Sequence, residues 1–234
     1  MATKNALIVG ASRGLGLGLT ERLCERGWHV AATSRHAGGD LGALAARSDG
    51  SLTVENVDIN DTDSVVALHD KLSDTTSDTT SDLIFVNAGI THDRWETVGD
   101  VSTETFDRVM VTNALSPMRF VERFADLVPP TGTIAVMSSG QGSITNNTRV
   151  TGWEIYRASK SALNQLMRSF AARHSDDPRT LLLMAPGWVQ TDLGGSDASL
   201  TVEQSTRGVA DVLEAQAGAG GLQFLDYRGQ TVPW

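Results

Sequence analysis

Short apolar runs alternate with longer amphipathic stretches from one end of the chain to the other. Residues 6–9, 83–86, 133–137 and 180–185 form compact runs dominated by Val, Ile, Leu and Ala, and the more mixed segments 28–33, 51–55 and 222–226 read as strands beside them. Continuous apolar runs of this length fit buried parallel strands better than one-sided antiparallel ones. Helical patterns separate them. One follows the glycines at 10–18 and reaches about Glu25. Others cover about 38–47 and 61–72, with Val65, Val66, Leu68 and Leu72 partly in helical register. Ser102 is placed as an N-cap, and Phe106, Val109, Met110 and Asn113 then fall at i, i+3, i+4 and i+7. A further helix starts near Trp153 and runs to about His174. Thr201-Val202-Glu203-Gln204 fits a capping box for a last helix, ended by the glycines at 218–221. Strand and helix in repeated alternation predict an α/β fold, a doubly wound parallel sheet of about seven strands with helices on both faces. The whole chain, 1–234, is expected to form one domain.

Composition narrows the setting. With 234 residues, 40% hydrophobic and 20% charged, the chain suits one ordinary core. The net charge of -9 argues against a nucleic-acid partner. No apolar run is long enough to span a bilayer, and no signal peptide is visible at the N-terminus. One cysteine, Cys24, excludes an internal disulfide and fits a reducing compartment, so a cytoplasmic location is expected. Without a secretory signal, the sequon at Asn146-Asn147-Thr148 is discounted. Residues 73–82 repeat Ser-Asp-Thr-Thr and read as a polar connector with no chemistry.

The candidate chemistry lies where strands end. Gly10, Gly14, Gly16 and Gly18 fill the turn between the first strand and its helix. Such a junction lets a backbone approach a pyrophosphate at the helix N-terminus, although it also fits a tight turn with no ligand. The second strand ends in Ser34-Arg35-His36, with no acidic residue to hold a ribose. An arginine there can pair with a 2′-phosphate, and Arg13 can approach the same group, which favours NADP over NAD; Arg35 as a plain solvated residue is the alternative. Asp58 follows the third strand and can accept from an adenine amino group or serve as an ordinary loop acid. Asn113 falls on an apolar helix face, so it either satisfies backbone or supports catalysis. Tyr156 and Lys160, four apart, share a helix face. A lysine beside a phenol is expected to lower its pKa and make it a usable acid and base. The pair alone also fits a surface Tyr and Lys without a task. Pro186-Gly187 fixes a turn after the sixth strand, and the glycine-rich stretch 193–200 is expected to be mobile.

In this order Gly10-x-x-x-Gly14-x-Gly16, Asp58, Asn87-Ala88-Gly89, Asn113, Ser139, Tyr156-x-x-x-Lys160, Pro186-Gly187 and Thr191 resemble the short-chain dehydrogenase/reductase family over nearly the full length. The tail, with Phe224-Leu225-Asp226-Tyr227-Arg228-Gly229 and Pro233-Trp234, resembles sniffer-type carbonyl reductases and C-factor-like proteins. The resemblance implies a Rossmann fold binding NADP(H), and a carbonyl or alcohol substrate. It implies that Gly10, Ser12, Arg13, Gly14, Leu15 and Gly16 hold the phosphates, Ser34 and Arg35 the 2′-phosphate, and Asp58 the adenine. Asn87, Ala88 and Gly89 would line the cofactor, with Pro186, Gly187, Val189 and Thr191 on its carboxamide side and Lys160 on the nicotinamide ribose. Tyr156 would be the acid/base, Ser139 its partner at the substrate oxygen, with Ser138 a competitor for that place. Asn113 would hold a water linking Lys160 to solvent. No metal is implied. A homodimer or homotetramer through the helices carrying Asn113 and Tyr156 is expected. The alternative is an NADP(H)-binding sensor that signals through a partner.

Overall fold

The computed structural model describes residues 3–36, 38–74 and 80–234. Most of the Ser-Asp-Thr-Thr repeat, 75–79, lies outside them, as do the first two residues. Seven strands, β1 (Asn5–Val9), β2 (His29–Ser34), β3 (Leu52–Asn56), β4 (Leu83–Val86), β5 (Thr133–Met137), β6 (Thr180–Ala185) and β7 (Gly221–Asp226), form one sheet in the order β3-β2-β1-β4-β5-β6-β7. Every neighbouring pair is parallel. The order reverses direction at β1, which opens a crevice between β1 and β4 at their C-terminal ends.

The central strands β1, β4, β5 and β6 are buried on both faces because their alternate side chains enter two separate cores, while β3 at the edge is only partly covered. Leu7, Val9, Ile84 and Val136 join Phe120, Phe124 and Phe170 on one side. Ala6, Ile8, Phe85 and Leu182 join Leu19, Leu23 and Leu213 on the other. Helices α3 (Thr62–Asp74), α5 (Ser116–Phe124) and α6 (Glu154–Arg173) supply the first core. Helices α1 (Gly14–Glu25), α2 (Gly39–Ala46) and α7 (Val202–Ala215) supply the second.

Local signals fixed several ends as expected. The Ser102 side chain accepts from Thr105 N at 3.1 Å and starts α4 (Thr103–Met110). Thr201 and Gln204 form the expected reciprocal capping box at α7. Three differences stand out. Helix α7 ends at Ala215, and Gly221 already belongs to β7. Trp153 is not helical: it is the N-cap of α6 in the left-handed region, φ +65°. Between α4 and α5 the chain widens into a π-turn, Val111–Leu115, which interrupts the simple helical register. Among the described residues no helix is long and apolar enough to cross a membrane.

The capping box and the sheet core should contribute on different scales. Thr201→Ala is expected to lower unfolding free energy by about 1 kcal/mol, and Phe85→Ala, fully buried in β4, by about 3–5 kcal/mol. Urea midpoints of the two variants in parallel check the order.

Candidate active site

Backbone contacts explain the glycines first. Gly10 lies at φ +86°, and a Cβ there would sit 2.9 Å from Ala88 backbone. At Gly16 a Cβ would press on Gly10 O and come within 2.7 Å of Asn87 Nδ2. Asn87 Nδ2 in turn donates to Gly10 O at 2.8 Å. So β1, β4 and the start of α1 approach one another more closely than any side chain allows. Helix α1 opens with no side-chain cap and no acidic residue in its first turn. Its leading N–H groups and positive dipole end therefore face the crevice uncompensated, an arrangement suited to phosphate. A cofactor with a pyrophosphate fits this cradle.

The cradle's neighbours differ in how free they are. Ser34 is buried, and its hydroxyl donates to His36 O at 2.8 Å, so it holds the turn after β2. Arg35 is exposed and has no carboxylate partner among the described residues. Asp58 is half-buried, with Oδ1 accepting from Asn60 N. Pro186 O accepts from Ser205 at 2.7 Å, and Gly187, at φ +84°, packs where a Cβ would strike Leu200 and Tyr227. Val189 is buried and bridges to Leu200. Thr191 accepts from Gly194 N and lies beside Gly14. The stretch after β6, expected to be mobile, is tied back through Gln190 N to Leu200 O and through Trp188 Nε1 to Gly194 O, both at 2.8 Å.

One turn into α6, Tyr156 and Lys160 point the same way, both nearly fully buried. Lys160 Nζ donates to Met137 O, the last carbonyl of β5, at 2.8 Å and lies 5.8 Å from the Tyr156 ring centre. Burial pushes Lys160 down to about 8 and pushes the Tyr156 phenol up to about 12, against an opposing pull from the Ser139 hydroxyl. The expectation that Lys160 lowers the phenol is thus corrected for the chain itself: desolvation sets the direction, and the only opposing pull comes from Ser139. A phenol held high is a protonated donor across the neutral range.

The structure separates the two serines. Ser138 is turned inward and donates to Asn164 Oδ1 at 2.6 Å. Ser139 faces Tyr156, and its Oγ accepts from Gln141 N at 3.1 Å. Asn164 was missed in the sequence, although it follows Lys160 by four on the same apolar face and carried the same signal as Asn113.

Asn113 is fully buried on the π-turn. Its Nδ2 donates to Ile90 O and Ser159 Oγ, both at 2.9 Å, and its Oδ1 accepts from Ile90 N at 2.8 Å. It therefore clamps the segment after β4 to α6. A Cβ at Gly89 would lie 3.3 Å from Asn113 Oδ1 and 3.5 Å from Lys160 Nζ, so these two polar groups flank one spot. His92 carries no signal in the sequence pattern. Its ring stacks edge-on against Trp153 at 5.9 Å, Trp153 meets Tyr156 at 6.5 Å, and both His92 nitrogens are buried without a partner. Trp188 is half exposed, while Trp234 packs on Phe224 and under Arg168. The described residues contain no group of three or more His, Cys, Asp or Glu able to hold a metal.

A short chain dehydrogenase family model matches residues 4–199. The chain belongs to this family. A solved short-chain dehydrogenase/reductase from Burkholderia multivorans with bound NADP is 49% identical, with TM-score 0.95 over all of both chains. The carbonyl reductase Sniffer of D. melanogaster is 28% identical, with TM-score 0.87, again over the full length of both. C-signal of Myxococcus xanthus is 35% identical over 155 residues, which is 65% of this chain and 92% of C-signal. The tail resemblance to sniffer-type and C-factor-like members agrees with these relatives.

Because Asn113 satisfies both backbone groups of Ile90, Asn113→Ala is expected to lower stability by about 1–3 kcal/mol. Differential scanning calorimetry against the native chain checks it.

Proposed function

We propose that the chain is an NADP(H)-dependent oxidoreductase, one domain over 1–234, that interconverts a carbonyl and an alcohol with Tyr156 as acid and base. The observation that carries this is the buried Tyr156 phenol, with Ser139 beside it and Lys160 beneath it, at the strand ends next to the glycine cradle. Bound nicotinamide would supply or accept the hydride. Gly10, Ser12, Arg13, Gly14, Leu15 and Gly16 would hold phosphates. Arg35 would meet the 2′-phosphate and Asp58 the adenine, with Asn87, Ala88, Gly89, Pro186, Gly187, Val189 and Thr191 lining the crevice. Ser34 supports this edge by holding the Arg35 turn.

In the reducing direction Tyr156 gives its proton to the substrate oxygen as negative charge grows there. Ser139 donates a hydrogen bond to the same oxygen, and the donation strengthens in the transition state. Lys160, charged below about pH 8, stabilises the phenolate that remains. Asn113 acts here by fixing the loop after β4 against α6.

The likeness to C-signal favours a second reading, a cofactor-binding signalling protein. The intact Ser139, Tyr156 and Lys160 set argues for turnover instead, since binding alone does not call for it. We assign the chain to a reducing, cytoplasmic compartment on its single cysteine. Pairing of two or four copies through α5 and α6 is our reading of the exposed Leu115 and Leu166, which border a groove of about 730 Å³ lined otherwise by α3 and α5, with Val65, His69, Met118 and Arg119 among its residues.

NADPH oxidation with a panel of ketones, aldehydes and quinones tests the assignment. Tyr156→Phe should abolish turnover and keep NADPH binding. Ser139→Ala should lower kcat about 100- to 1000-fold, and Ser138→Ala much less. Tight NADPH binding with no turnover on any compound would favour the signalling reading, and equal losses from the two serine variants would sink the choice of Ser139.

The pH profile follows from the same groups. Lys160 is held below its ordinary 10.5, at about 8, so its charge is lost as pH rises through 8. Carbonyl reduction should be level below that point and fall above it, while Tyr156 stays protonated to about 12. Measurement of kcat from pH 6 to 10 checks the sign; a rate that climbs above pH 8 would contradict it.

A further inference from the structure

Two arginines stand near the expected 2′-phosphate, and only one is free. Arg35, after β2, has no carboxylate partner among the described residues. Arg13 Nη1 lies 2.5 Å from Asp192 Oδ2, with both side chains largely exposed. The two partners are 179 positions apart. Their loops touch, since a Cβ at Gly14 would lie 3.5 Å from Thr191 Cγ2. In the sheet, β2 lies on one side of β1, and β6 lies beyond β4 and β5 on the other. Asp192 therefore turns the Arg13 guanidinium toward the loop after β6 and away from the edge that Arg35 occupies.

We infer that Asp192 sets cofactor specificity: it competes with the 2′-phosphate for Arg13 and so reduces the preference for NADP(H) over NAD(H). This rests on the NADP(H) reading above. A guanidinium fork matches a carboxylate or a phosphate through the same N–H groups, so full engagement of one excludes full engagement of the other. NADPH must draw Arg13 off Asp192 to gain that contact. NADH has no 2′-phosphate and leaves the ion pair in place. The pair thus opposes one cofactor and not the other. An exposed pair is weak and screened by salt, so the expected effect is about two- to fivefold.

The test is a set of dissociation constants for NADPH and NADH without substrate, from quenching of tryptophan fluorescence, at low and high salt. Asp192→Asn should raise the ratio of the NADH constant to the NADPH constant about two- to fivefold at low salt. The increase should shrink at high salt, and Asp192→Glu should keep the native ratio. Loss of a negative charge by itself would also favour the more anionic cofactor, so the decisive comparison is made in an Arg13→Gln background. There Asp192→Asn should leave the ratio unchanged. Equal changes for both cofactors, or the same change of ratio with Arg13 removed, would overturn the inference while leaving the NADP(H) reading intact. Failure of the native chain to bind NADPH would overturn both.

Discussion

A lysine ammonium taken almost entirely out of water governs this site. Lys160 is 3% exposed and is held by one backbone carbonyl, Met137 O, at 2.8 Å. Burial of a charge on those terms is unfavourable unless the surroundings are rigid and polar at the right points. The surroundings meet that condition. Met137 ends β5, whose register between β4 and β6 is fixed by parallel ladders on both sides. Tyr156 stacks one helical turn away, and Asn113 flanks the same spot as the ammonium. The same desolvation that depresses Lys160 raises Tyr156, so one physical cause sets both members of the pair.

The polar residues on apolar helix faces form the frame around that pair. Asn113 ties the loop after β4 to Ser159 on α6. Asn164 ties Ser138 to the same helix. The π-turn at Val111–Leu115 coincides with Asn113 and with buried Thr112, whose hydroxyl accepts from Asn60. A local widening of the helix is a common companion of functional side chains, because it redirects a residue without ending the helix. The frame explains why Ser139 rather than Ser138 is left to face the phenol.

On the opposite side of the crevice, packing and not chemistry makes the glycines necessary. Gly10 and Gly16 stand where β1, β4 and α1 meet with no room for a Cβ. The free N-terminus of α1 is presented there as a consequence. The family match agrees with this cradle.

Much of this was legible in the sequence. The runs at 83–86, 133–137 and 180–185 coincide with β4, β5 and β6, because a strand buried on both faces has no choice but a continuous apolar run. Capping at Ser102 and Thr201 was legible because it depends on residues three apart. The ordered set from Gly10 to Thr191 falls around the strand ends and the glycine cradle. What the sequence could not determine is decided over long separations. The π-turn, the left-handed Trp153 and the choice between Ser138 and Ser139 depend on which side chains meet across elements. So do the contact of His92 with Trp153 and that of Arg13 with Asp192. The direction of the pKa shifts belongs here too: a Tyr and a Lys four apart fix a shared face, but only the depth at which tertiary packing buries that face decides how far loss of solvent raises the phenol and depresses the ammonium.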